Sequence, residues 1–210
     1  MKVNPELIKY VQKHVFPFYE EHVSCHDIKH IEYVIRRSLE FAKRANDENI
    51  NLDMAYTIAA YHDLGNAYDR KTHEKISAQM LRDDKQLDKF FTPEQKQDMA
   101  IAVEDHRASA NHTPRNIYGK IVSSADRHTT LEDFMDKMYK HNLKHNPQYD
   151  LDELIEESRK FALVKFGENG YANAKMFFQD AEYERFISET IRVAKDPEEF
   201  RVRFMKINGL

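Results

Sequence analysis

Apolar residues recur at helical spacing over most of this chain. Leu7, Ile8, Val11, Val15 and Phe18 predict a helix from Pro5 to His22 that Pro17 should kink or end. Ile31, Val34, Ile35, Leu39 and Ala42 predict an amphipathic helix from Asp27 to Ala45. The apolar run from Leu52 to Leu64 predicts a shorter helix, stopped by Gly65 in a left-handed turn, so that His62 and Asp63 fall in its last turn. Residues 65–72 read as a loop, and Thr72 is placed to cap a helix carrying Ile76, Met80 and Leu81.

Thr92-Pro93-Glu94-Gln95 combines an N-cap threonine, a proline in the first helical position and a capping-box glutamine. A helix should start there and run to His106. After a polar loop over 108–116, Ile117, Ile121, Val122 and Ala125 predict a helix that holds Asp126 and continues through Leu131, Phe134, Met135 and Met138. Asn146-Pro147 breaks the pattern, and helices are expected over about 150–165 and 180–195, separated by Gly167-Glu168-Asn169-Gly170. With only 5 Gly and 6 Pro in 210 residues, tight strand turns are scarce and the fold class is all-α. That length can bury a sizeable core, and the expectation is a single domain over 1–210.

The formal net charge is −4 and no long block of Lys or Arg occurs, which argues against duplex nucleic acid as a partner. Cys25 is the only cysteine, so an intrachain disulfide and a Cys-rich zinc motif are excluded and a reducing compartment fits. Lys9, Gln12, Lys13 and His14 interrupt the first helix, which therefore lacks a signal peptide's apolar core. No apolar run reaches membrane-spanning length. A soluble cytoplasmic protein is expected, with homo-oligomerisation left open.

His30, the adjacent His62-Asp63, and Asp126 stand out chemically. Imidazole nitrogen and carboxylate oxygen suit a divalent cation, and converging helices can supply them without a strand scaffold. A His-Asp dipeptide alone says little: composition gives about 0.9 by chance, and the chain has two, His26-Asp27 and His62-Asp63. The surrounding strings carry more. His26-Asp27-Ile28-Lys29-His30, Ala59-Ala60-Tyr61-His62-Asp63-Leu64-Gly65 and Ser124-Ala125-Asp126-Arg127 together resemble the H…HD…D pattern of the HD superfamily of metal-dependent phosphohydrolases.

The resemblance covers about residues 20–140, with helices over about 141–210 packing on that core. It implies an HD-domain-like helical bundle with a metal site between helices, and it puts His30, His62, Asp63 and Asp126 at the ligand positions. His73 and His106 stand where two-metal members of the superfamily carry extra histidines. The implied cofactor is one or two divalent ions: manganese, iron, zinc, cobalt, nickel or magnesium. The implied activity is hydrolysis of a small phosphorylated substrate, a nucleotide or other phosphate ester or anhydride, by metal-activated water. Asp63, Glu104 and Arg127 are the candidates for catalysis, with Asp105 beside Glu104 as an alternative acid. Lys71, Arg107 and Arg127 are the candidates for binding phosphate oxygens. His26, His112 and His128 lie near the motifs and are read as non-ligands. Ser123-Ser124 and His128-Thr129-Thr130 depart from the small nucleotide-hydrolysing members, which leaves the substrate open. Two other readings use the same scaffold: a non-catalytic nucleotide sensor and a di-iron oxygenase.

Overall fold

The computed structural model describes residues 2–22, 28–45, 47–127, 130–172 and 177–210. Among these the chain is helical, with no strand, as the hydrophobic spacing predicts. None of the described helices is long and apolar enough to cross a membrane. The chain divides into two compact units, Met1–Asp126 and Arg127–Leu210.

The first unit contains α1 (Pro5–His14), α2 (Phe16–His22), α3 (Ile28–Arg44), α4 (Leu52–Tyr61), α5 (His73–Asp83), α6 (Pro93–Glu104) and α7 (Ile117–Ala125), with short 3-10 turns at Leu64–Ala67 and Lys85–Lys89. Its centre is α4, which packs on α1, α3, α5, α6 and α7. Every residue from Met54 to Tyr61 is buried. A helix covered on all sides needs no polar face, and this one is short and almost continuously apolar. Around it Ile31 and Val34 of α3, Leu81 of α5, Met99 and Val103 of α6 and Val122 of α7 close the core.

Several boundaries differ from the sequence expectation for identifiable reasons. The first helix breaks at Val15, and Pro17 becomes the second residue of α2, where its missing N–H leaves no gap in the ladder. α6 carries the expected capping box at Thr92 and Gln95 but stops at Glu104, so His106 lies just beyond it. Thr72 precedes α5 without capping it; its hydroxyl donates instead to Asp69 Oδ2 at 2.7 Å. The helix predicted to run through Asp126 ends there, with Asp126 as the C-cap of α7. α4 ends at Tyr61, and Gly65 lies inside a 3-10 turn rather than in a left-handed one. Gly209 is the described glycine with positive φ.

The second unit consists of α8 (Leu131–His145), α9 (Leu151–Phe166), α10 (Ala181–Lys195) and α11 (Pro197–Asn208). Its core is rich in aromatic rings, with Phe134, Phe166, Phe186, Phe200 and Phe204 buried together. α11 was not anticipated, although Asp196-Pro197-Glu198-Glu199 is a helix start: Asp196 accepts from the N–H groups of Glu198 and Glu199, and Pro197 opens the helix.

Gly65 is required by a close backbone approach. A Cβ at this position would lie 2.3 Å from the carbonyl oxygen of His73 and 2.9 Å from its Cα, so the turn after Asp63 and the start of α5 could not stay in contact. Gly65→Ala should destabilise the first unit by about 1–3 kcal/mol, the usual range for overpacking against atoms that cannot yield. Chemical denaturation of the variant checks this, and a midpoint equal to that of the wild type would show that the turn can open without penalty.

Candidate metal centre

Each candidate ligand sits at or next to a helix end in the first unit. His30 is in the first turn of α3, His62 and Asp63 follow α4, His73 opens α5, His106 follows α6 and Asp126 caps α7. Packing of these helices around α4 brings the ends together. The described residues contain two groups whose ligand atoms lie within 4.8 Å of one another: His30, His62 and Asp126, and Asp63, His73 and His106.

Asp63 connects the groups through its two oxygens. Oδ2 lies 3.4 Å from His62 Nε2 and 4.0 Å from His30 Nε2. Oδ1 lies 3.2 Å from His73 Nε2 and 3.6 Å from His106 Nε2. His30 Nε2 is 3.3 Å from Asp126 Oδ1, and the Nε2 atoms of His73 and His106 are 3.2 Å apart. One carboxylate thus has an oxygen turned toward each set of imidazoles, the disposition of a ligand shared by two cations.

The imidazoles are oriented by the backbone. His62 Nδ1 lies 2.7 Å from the carbonyl oxygen of Ala59, His73 Nδ1 lies 2.8 Å from that of Arg70, and His106 Nδ1 lies 2.7 Å from that of Val103. In each case Nδ1–H donates to the carbonyl three residues back, which leaves Nε2 facing the cluster. His62 is completely buried, and its Nε2 makes no hydrogen bond. A buried imidazole nitrogen aimed at carboxylate oxygens is the donor set that a divalent cation requires, so the residues fit a metal.

The electrostatics agree. Burial lowers the His62 pKa, but the Asp63 charge, aided by that of Asp126, outweighs it and carries the pKa up to about 9. Burial likewise disfavours charged His73, and its Asp63 contact raises the pKa on balance. Burial raises the Asp126 pKa, yet the His30 hydrogen bond and the charges of His62 and His30 hold that carboxyl well below the usual range. The buried Asp63 and the partly buried Asp126 carboxylates attract positive charge from any source near them.

Tyr19 of α2 is a site residue that sequence reasoning missed. Its buried hydroxyl donates to the Ala60 carbonyl at 2.9 Å and accepts from the Asp63 N–H at 3.3 Å, fixing the turn between α4 and Asp63. Ser77 was also missed; its hydroxyl accepts from the Gly65 N–H at 2.8 Å. Neither carries a local signal, because both partners are remote in sequence.

Of the other candidates, Glu104, Asp105, Arg107 and Arg127 are held by protein partners. Glu104 receives Arg82 and Arg115, each at 2.7 Å. Although burial raises its pKa, these two guanidinium groups lower it on balance, which makes Glu104 a poor proton acceptor. Asp105 is buried under Arg115, which donates through its main-chain N–H and its guanidinium, and His112 Nε2 lies 2.9 Å away. Arg107 donates to the Lys71 carbonyl at 2.9 Å and to Glu74 at 3.1 Å, while Lys71 is exposed. Arg127 begins the second unit, where it is buried and donates to the Ala172 carbonyl at 2.9 Å. Cys25, His26, Asp27 and His128 lie outside the described residues.

No curated protein matches the chain. A crystal structure of a predicted HD superfamily hydrolase from an uncultured Thermotogales bacterium is similar, at 22% identity and a TM-score of 0.45, with 88% of this chain and 91% of that one covered. The sequence model of the HD domain matches residues 27–131, half of the 210 residues, and this span contains His30, His62, Asp63, His73, His106 and Asp126. The chain belongs to the HD domain family.

Proposed function

We propose that the chain is a metal-dependent phosphohydrolase acting on a nucleotide or another small phosphate ester or anhydride. The observation that supports this most is the divided Asp63 carboxylate, with Oδ2 toward His30 and His62 and Oδ1 toward His73 and His106. A divalent cation, when bound, lowers the pKa of a water to about 7 and polarises the phosphoryl oxygen under attack. His30, His62 and Asp126 would hold one cation, His73 and His106 a second, and Asp63 would serve both.

The protein's own contribution is orientation and charge. Nδ1–H bonds to backbone carbonyls fix the rings of His62, His73 and His106, and Tyr19 fixes the main chain of Asp63. Lys71, exposed in the segment that leads into His73, is the cation proposed to meet substrate phosphate. Imidazole with carboxylate suits manganese, iron, zinc, cobalt or nickel better than magnesium. A small phosphorylated molecule is the proposed partner, and phosphate release across nucleotides and simple esters with each of these metals is the test. Iron retained with visible absorbance, and no phosphate released from any ester, would favour a di-iron oxygenase instead.

Asp63→Ala should lose both ions, because both groups share that carboxylate, while circular dichroism stays close to wild type. Full metal occupancy in the purified variant would remove Asp63 from the site. His73→Ala and His106→Ala should each lower the stoichiometry from two ions toward one and reduce phosphate release. His62→Ala should empty the other position. Elemental analysis beside single-substitution kinetics distinguishes these outcomes from a mononuclear site, in which His73 and His106 variants keep one ion and lose only substrate affinity.

Metal binding should also release protons. The charges of Asp63 and Asp126 push the His62 pKa up to about 9, so below that pH a cation should use its Nε2 only after a proton leaves. Apparent affinity should therefore rise by about tenfold per pH unit for each proton displaced, up to that pKa, and level off above it. Calorimetry in buffers of different ionisation enthalpy reads the released proton directly, and a pH-independent affinity would mean that His62 is neutral before the metal arrives.

A further inference from the structure

The turn that follows Asp63 presents an aromatic ring to solvent. Tyr68 is 67% exposed, more than any other large hydrophobic side chain described. Its position is fixed: the N–H groups of Tyr68 and Asp69 both donate to the Gly65 carbonyl, at 2.9 and 3.1 Å. The same segment is secured farther on by the Thr72 hydroxyl on Asp69 and by Arg107 on the Lys71 carbonyl. Tyr68 is therefore held outward by a hydrogen-bonded turn.

A second ring stands beside it. Phe18 of α2 lies with its centroid 6.2 Å from that of Tyr68 at an interplanar angle of 33°, and the His22 ring centroid lies 4.7 Å from that of Phe18. Phe18 precedes Tyr19, whose hydroxyl accepts from the Asp63 N–H. The aromatic pair is thus tied to the metal centre from both sides, through α2 to Asp63 and through the 3-10 turn to Asp63. The 3-10 turn Leu64–Ala67 joins Asp63 directly to Tyr68, so the exposed ring follows the shared carboxylate by five residues. Exposed Lys71 follows in the same segment.

We infer that Tyr68, backed by Phe18, is a stacking platform for the base of a nucleotide whose phosphate lies at the Asp63 centre. The placement of the phosphate rests on the phosphohydrolase reading; the platform itself does not. A flat ring backed by a second ring offers a π-face to any base, so the platform selects nucleotides over base-free phosphates and discriminates little among bases. Tyr68 is accordingly a specificity residue that acts on affinity.

The test measures binding to the full-length, metal-loaded chain of two non-hydrolysable phosphonates, the analogue of AMP and the analogue of ribose 5-phosphate. Wild type should bind the AMP analogue more tightly by about 5- to 150-fold, the range for one stacked base. Tyr68→Ala should bring the two affinities together with metal content unchanged, and Tyr68→Phe should restore the preference. Saturation transfer to the base protons of adenosine should be strong in wild type and weak in Tyr68→Ala. The same preference in wild type and Tyr68→Ala, or none in wild type, overturns the platform. Failure of the phosphohydrolase reading looks different: no phosphate is released from any ester, while the Tyr68-dependent preference for the base survives and upholds the platform. Conversely, release from base-free and nucleotide esters alike, with no binding preference, leaves hydrolysis standing and sinks the platform.

Discussion

A carboxylate with 4% of its side chain exposed carries a charge that water cannot stabilise, and four imidazoles surround it in the first unit. The Asp63 charge is the constraint to which the neighbouring structure responds. It explains why His62 and His73 are more basic than burial alone would allow. It also explains why the contributing residues come from helix ends: side chains at the mouths of several helices can converge on one point, whereas side chains along one helix spread around its axis. The packing of α3, α5, α6 and α7 around α4 delivers those ends to a common place.

The order of construction runs from backbone to ligand. Gly65 has no Cβ, so the His73 main chain can rest against the turn after Asp63. Ser77 and Tyr19 then hold that turn through the N–H groups of Gly65 and Asp63. Arg115 neutralises the buried Asp105 beside His106, a charge that would otherwise oppose the partial negative end of α6. None of these groups is a ligand, yet each fixes the main chain next to one.

Much of this was legible in the sequence because helix ends announce themselves locally. His62-Asp63 before a glycine, His73 after a loop, His106 near the end of the helix that Thr92 and Pro93 begin, and Asp126 after Ala125 are all visible in short windows. What escaped was long-range. Tyr19 and Ser77 meet the turn across 44 and 12 positions of sequence. Glu104 and Arg127 each stand near a candidate ligand in sequence. Successive residues at a helix end point in different directions, however, and these two are committed to Arg82 and Arg115, and to the Ala172 carbonyl. The helix predicted to run through Asp126 failed for a related reason: apolar spacing continues into α8, and periodicity does not register a cap between two apolar stretches.

The bonds from His62 to the Ala59 carbonyl and from His106 to the Val103 carbonyl have a consequence for the helices themselves. Each ring donates to a carbonyl in the last turn of its helix, and the Val103 carbonyl also accepts from the His106 main-chain N–H at 3.4 Å. The ring whose Nε2 faces the centre thus also caps α4 or α6, and a substitution that removed it would loosen a helix end together with the site.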